Sequence, residues 1–145
     1  MALPRYHLLA SAALGGLMWA ATQQRRAAAA PLISGFLVDF DHLADYALTQ
    51  LGVAEDKILL AAHGWEYVPL WWVADRLLGM RGGLVLGYVV HLSIDQLSNE
   101  KRSRLAYFVA YRAKQRFRAD QLGPRDVKQR HQWRKASPIG LLKWL

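Results

Sequence analysis

The chain has 145 residues, enough for one domain with a real core, and no cysteine, which excludes disulfides, thiolate metal sites and cysteine nucleophiles. Its formal net charge is +8, but residues 1–100 hold 6 Lys/Arg against 9 Asp/Glu while residues 101–145 hold 13 against 2. An apolar, mildly acidic body therefore precedes a strongly basic end, and such an end suits anionic surfaces, either lipid headgroups or nucleic acid.

Hydrophobic periodicity predicts an all-α fold, a membrane-associated bundle of about five to six helices with a basic C-terminal helix and tail. The division is a helical domain over 1–122 and a basic tail over 123–145. The first helix is expected over 5–22. Tyr6 to Gln24 carries no formal charge, and its apolar centre is short for a full membrane span. It reads as a membrane-inserted or core helix, with a secretory signal as the alternative. Ala27 to Val38 is apolar, and Pro31 either kinks it or starts a new helix. Asp41 can cap a helix over 42–50 that Gly52 closes. A further helix is expected from Glu55 to Leu78, kinked at Pro69 and ended at Gly79. Gly82 and Gly83 break the chain before a helix over 84–98. A basic helix over 101–121 follows, stopped by Gly123 and Pro124.

Acids and imidazoles lie inside these greasy segments: Asp39, Asp41, His42 and Asp45, then His63 and Glu66, then His91 and Asp95. Burying such groups without a partner is costly. Spacings of three or four residues put each set on one helix face, and facing helices build metal sites from inward-pointing ligands. A shared divalent ion would satisfy them together. With no thiolate to offer, the site would take nitrogen and oxygen ligands, suiting zinc, manganese or iron. Such an ion would acidify a bound water and polarise an ester or phosphoryl oxygen, with Glu66 or Asp45 managing the proton. Each residue also has a plainer use. Asp41 can be a helix cap, His63 a core histidine, and His91 and Asp95 an intrahelical pair. Glu66 can pair with Arg76 or Arg81.

The segment Gly35-Phe-Leu-Val-Asp39-Phe-Asp41-His42 resembles the Pro-Asp-x-Asp-His motif of membrane-bound metal-dependent hydrolases, a group that includes LexA-binding, inner-membrane-associated hydrolases. Gly87-Tyr-Val-Val-His91-Leu-Ser-Ile-Asp95 resembles their Gly-x-x-x-His-x-x-x-Asp segment. His63 falls between the two motifs, where that family carries a histidine, and His7 looks like its early histidine. The order is distantly similar to that of zinc-dependent phospholipases C. The resemblance covers about residues 5–100, with Val38 where the family usually has proline. It implies an inner- or plasma-membrane hydrolase acting on a phosphoester or lipid-like ester. It implies Asp39 or Asp41, His63, His91 and Asp95 as metal ligands. His42, Glu66 and His7 would be further ligands or their supports. The later His-x-x-x-Glu pair of the phospholipases is missing, so one or two ions are expected.

In the basic end, Lys101, Arg102, Arg104, Arg112, Lys114, Arg116 and Arg118 interleave with Tyr107, Phe108, Tyr111 and Phe117. This reads as an amphipathic helix packed on the bundle, as an attachment to anionic lipid helped by Trp133 and Trp144, or, less favoured, as a nucleic-acid contact.

Overall fold

The computed structural model describes residues 4–98, 103–123 and 127–128. Among them the chain is an all-α bundle. Helices α1 (Pro4–Thr22) and α2 (Arg25–Phe36) form an antiparallel hairpin. A 3₁₀ turn, Leu37–Phe40, leads into α3 (Asp41–Gln50). A 3₁₀ turn at Trp65–Tyr67 starts α4 (Val68–Leu78), and α5 (Gly83–Ser98), α6 (Val109–Lys114) and α7 (Ala119–Leu122) complete the order. The continuous helical run Arg25–Gln50 is long and apolar enough to cross a membrane by length and composition.

Small residues set the packing. The buried face of α2 is Ala27, Ala30, Pro31, Ser34 and Gly35. On α5, Gly83, Gly87, His91 and Asp95 recur every fourth residue and are all buried, so they form one ridge. A Cβ on Gly83 would stand 2.7 Å from Ala30 Cβ, and one on Gly87 would stand 2.5 Å from Ser34 Oγ and 2.6 Å from Pro31 Cα. Gly15 on α1 meets the Ala28 carbonyl in the same way, at 2.5 Å. Backbones thus touch where side chains would normally intervene. Gly83 lies against Ala27 and Ala30, and Gly87 against Pro31 and Ser34. The advance is in one direction, so α5 runs parallel to α2. Pro31 passes inside an unbroken α2, at the point where α5 comes nearest.

Two expected helices are not formed as drawn. The helix forecast from Glu55 begins only at Val68, with Pro69 in its first turn, so Pro69 does not kink it. Residues 51–64 are turns and irregular chain. With no helical ladder, part of their backbone is held by side chains from other elements, beside local turns such as His63 N–H to Leu60 O at 3.1 Å. Asp45 Oδ1 accepts the Leu59 N–H at 3.0 Å, Asp41 Oδ2 accepts the Ala62 N–H at 2.8 Å, and Arg112 donates to the Leu59, Leu60 and His63 carbonyls. The forecast basic helix over 101–121 is, in its described part, a turn followed by α6 and α7, with the break at Arg116 and Phe117, whose φ angles are 52° and 58°. The 117–119 strip folds back on 56–58: Ile58 N–H donates to Phe117 O and Ala119 N–H to Asp56 O, both at 2.8 Å. Ile58, Leu60, Ala106, Ala119 and Leu122 form a small core beneath it. Lys101, Arg102 and most of the 123–145 tail, with His131, Trp133 and Trp144, lie outside the described residues.

Asp41 does not cap α3, which continues from the 3₁₀ turn without a side-chain cap. Asp75 is an N-terminal support that composition did not reveal. Its two oxygens accept the Gly82 and Leu84 N–H groups at 2.7 and 2.8 Å, tying the end of α4 to the start of α5.

The glycine contacts carry a direct test. Gly87→Ala is expected to cost about 1–3 kcal/mol, because neither Pro31 backbone nor Ser34 can withdraw freely. Gly16→Ala, with nothing within 4 Å of its Cβ position, is expected to stabilise by about 0.5–1 kcal/mol through helix propensity. Thermal or denaturant unfolding of the two variants beside the parent checks the contrast.

Candidate metal centre

The ridge that carries the glycines of α5 ends in the site. One and two turns beyond Gly87 it presents His91 and Asp95. α1 contributes His7, the turn after α2 contributes Asp39, α3 contributes Asp41 and His42, and the irregular loop contributes His63. These seven residues converge at one end of the bundle, and Asp45 and Glu66 belong to none of the candidate ligand groups among the described residues. Asp45 is buried and holds the Leu59 N–H. Glu66 is exposed and its Oε1 accepts the Ala110 N–H at 3.0 Å, at the start of α6.

Two rings define the centre. His91 Nδ1 lies 2.7 Å from the Gly35 carbonyl, which can only accept, so that nitrogen carries the proton. His63 Nδ1 lies 2.9 Å from Asp41 Oδ2, again an acceptor. Both imidazoles are therefore turned with Nε2 inward, and the two Nε2 atoms are 3.0 Å apart. Lone pairs facing each other at that distance repel unless a cation, a proton or a metal ion, sits with them. Asp95 Oδ2 stands 3.4 Å from His63 Nε2 and 3.8 Å from His91 Nε2.

Ligands about 2.0–2.1 Å from a tetrahedral ion stand about 3.3–3.4 Å apart, so a triad with these edges can close on one ion and leave a fourth position open. The support of each ring by a carboxylate or carbonyl on its far nitrogen is the arrangement that fixes metal-binding imidazoles. Asp41, one of two alternatives for a ligand, thus sits behind His63.

Asp39 stands on the same nitrogens, its Oδ1 3.6 Å from His63 Nε2 and 3.7 Å from His91 Nε2. It joins two further triads whose ligand atoms lie within 4.8 Å of one another, one with His7 and His91 and one with His42 and His63. His7 stacks on His91 with ring centres 4.0 Å apart and lies 3.4 Å from Asp95 Oδ1. His42 meets the His63 ring edge-on and lies 3.6 Å from Asp39 Oδ1. Asp39 Oδ2 and Asp41 Oδ1 are buried without a hydrogen-bond partner among the described residues. Unsatisfied carboxylate oxygens beside a ligand triad are what a cation would neutralise. His63 and His91 are 0–1% exposed, whereas Asp39, Asp41 and His42 are 9–14% exposed. The centre is reached from the α2–α3 side.

Burial alone would lower the His63 pKa. Its hydrogen bonds to Asp39, Asp41 and Asp95 outweigh that and hold it well above the usual imidazole value.

Three supports escaped the sequence reading. Tyr88, fully buried on α5, bonds through its hydroxyl to the Ala62 and Gly64 carbonyls at 2.7 Å and accepts the Gly64 N–H. Arg112, 2% exposed in α6, holds the carbonyls of Leu59, Leu60 and His63. The Gly35 carbonyl orients His91. Tyr88 stands three residues before His91, on its face of the helix, which is a signal that spacing could have supplied. Arg112 could not be told from the solvated arginines around it.

No family model, no curated protein and no solved structure matches this chain.

Removing Arg112 strands three carbonyls around His63. Arg112→Met is expected to destabilise the fold by about 2–4 kcal/mol, while Arg104→Met, at an exposed position, is expected to fall within about 0.5 kcal/mol of the parent. Denaturant midpoints measure both.

Proposed function

We propose that the chain is a membrane-associated, metal-dependent hydrolase of a phosphoester or lipid-like ester. His63, His91 and Asp95 would hold a divalent ion, zinc by the nitrogen–oxygen ligand set, with manganese or iron as alternatives. The observation that carries the reading is the inward pair of Nε2 atoms 3.0 Å apart, each ring fixed from behind, with Asp95 closing the triad. The ion would supply Lewis acidity and an acidified water at its open position. Asp39, on the accessible side, would accept a proton or complete the ligand set. Asp41 keeps His63 turned, the Gly35 carbonyl keeps His91 turned, and His7 braces Asp95. The approach to Asp39 and His42 is flanked in sequence by Leu37, Phe40 and Leu43, all exposed. An apolar lip beside an acid-and-histidine centre favours a substrate with an acyl or other greasy portion. The family resemblance of the Asp39–His42 and Gly87–Asp95 segments agrees with this chemistry.

Elemental analysis of detergent-purified protein is the decisive measurement. Stoichiometric metal is expected in the wild type and its loss in a His91→Ala/Asp95→Ala double variant. No metal in either would reject the reading. Turnover of a phosphoester or ester probe is expected to fall at least about a hundredfold in Asp95→Asn.

Metal uptake is also expected to depend on pH. A His63 pKa held above its ordinary value means that the metal-free ring binds its proton more tightly than a free imidazole does. An ion must displace that proton, so apparent affinity rises with pH until the raised pKa is passed and falls as the solution is acidified. Titration calorimetry in buffers of different ionisation heat reads the released proton directly.

A further inference from the structure

The end of the bundle remote from the metal centre has its own character. The α1–α2 turn and the α4–α5 turn both lie there, because α1 and α4 run antiparallel to α2 and α5. Arg25, Arg26, Arg76 and Arg81 lie in or beside these turns, and all four are exposed. Among the described residues none of them pairs with a carboxylate. Asp75, the acid in this region, is buried and committed to two backbone amides. Arg25 and Arg26 occupy the first turn of α2, where no acid or side-chain cap is present and where the helix dipole disfavours positive charge. Local helix energetics do not call for cations at this place.

The flanks next to this end are apolar and open. Leu17 and Trp19 of α1 are 67% and 41% exposed, and Trp72, Leu77 and Leu78 of α4 are 53%, 81% and 53% exposed. Arg76 lies over the Trp72 ring at 5.5 Å. Tryptophan and leucine beneath a rim of arginine is the pattern of a surface that meets both acyl chains and headgroups. Nucleic acid would match the charge but leave the leucines in water.

We propose that this arginine-bearing end binds anionic phospholipid headgroups through Arg25, Arg26, Arg76 and Arg81. The apolar helix flanks then lie against the acyl chains, and the His/Asp centre is presented at the opposite end of the bundle. Lipid selectivity is thereby assigned to two short turns instead of to the basic C-terminal tail. The assignment stands whether or not the centre holds a metal.

The test uses the full chain purified in neutral detergent, with a fluorescent phosphatidylglycerol as probe and unlabelled phosphatidylglycerol or phosphatidylcholine as competitor. The wild type is expected to prefer phosphatidylglycerol by about tenfold or more, with the preference reduced by salt. A variant carrying Arg25→Gln, Arg26→Gln, Arg76→Gln and Arg81→Gln is expected to lose that preference to within about twofold. A tail variant with Arg130→Gln, Arg134→Gln and Lys135→Gln is expected to keep it. Should the fourfold variant misfold by circular dichroism, the pairs Arg25→Gln/Arg26→Gln and Arg76→Gln/Arg81→Gln are each expected to lose part of the preference. An unchanged preference in the fourfold or both paired variants overturns the proposal. So does its loss in the tail variant, or a wild type that discriminates no lipid but binds a single-stranded oligonucleotide.

Discussion

The contact on which the rest depends is the backbone-to-backbone approach of α5 to α2. Gly83 and Gly87 remove the side chains that would hold the two helices apart, and Pro31 and Ser34 fill the groove that they leave. This closeness does more than pack. It brings the Gly35 carbonyl within 2.7 Å of His91 Nδ1, one turn further along the same ridge. A larger residue at position 87 would push α5 outward, and the His91 ring would lose the acceptor that fixes its tautomer. Helix packing and the chemistry of the centre are thus one geometric fact.

The second constraint is the irregular loop that delivers His63. A loop has no internal hydrogen-bond ladder to keep it in place, so its precision has to be imported. Asp41 and Asp45 take its amides, while Tyr88 and Arg112 take its carbonyls, from three different helices. Asp41 does two things with one oxygen, accepting both the Ala62 amide and His63 Nδ1. The loop and its imidazole are therefore set by the same carboxylate. Arg112 draws the C-terminal part of the chain into this arrangement, which ties a segment rich in arginine to the position of a single histidine.

Much of the helical order was legible in the sequence. The 5–22 and 84–98 helices show clear apolar runs with glycine or charge at their ends, and the structure forms them as Pro4–Thr22 and Gly83–Ser98. The convergence of Asp39, Asp41, His42, His63, His91 and Asp95 was legible as well, because acids in apolar sequence require partners. The 55–64 stretch misled, since Ile58, Leu59, Leu60, Ala61 and Ala62 have helical propensity and an apolar face. Their backbone is instead captured by side chains distant in sequence, which no local pattern encodes. The same reason hid the role of Asp41. A carboxylate before an apolar run looks like a cap, and only the fold reveals that a loop residue 22 positions later claims it.

Charge balance links the centre to its surroundings. Asp39, Asp41 and Asp95 lie at most 12% exposed around two inward-facing imidazole nitrogens. Three carboxylates in such a place repel one another strongly unless positive charge is held between them. A proton on His63 would offset part of that charge, and a divalent ion at the paired nitrogens would offset more while satisfying the stranded carboxylate oxygens. Burial, which makes the cluster costly in isolation, is also what strengthens its attraction for a cation. Arg25, Arg26, Arg76 and Arg81 stand at the other end of the bundle, while Arg5, two residues before His7, is exposed on α1. Lys57, the cation within the 51–64 loop, is exposed and its backbone bridges to Arg118. Arg112, buried in α6, gives hydrogen bonds to carbonyls around His63. These carboxylates, with the imidazoles beside them, could hold a cation from outside the chain.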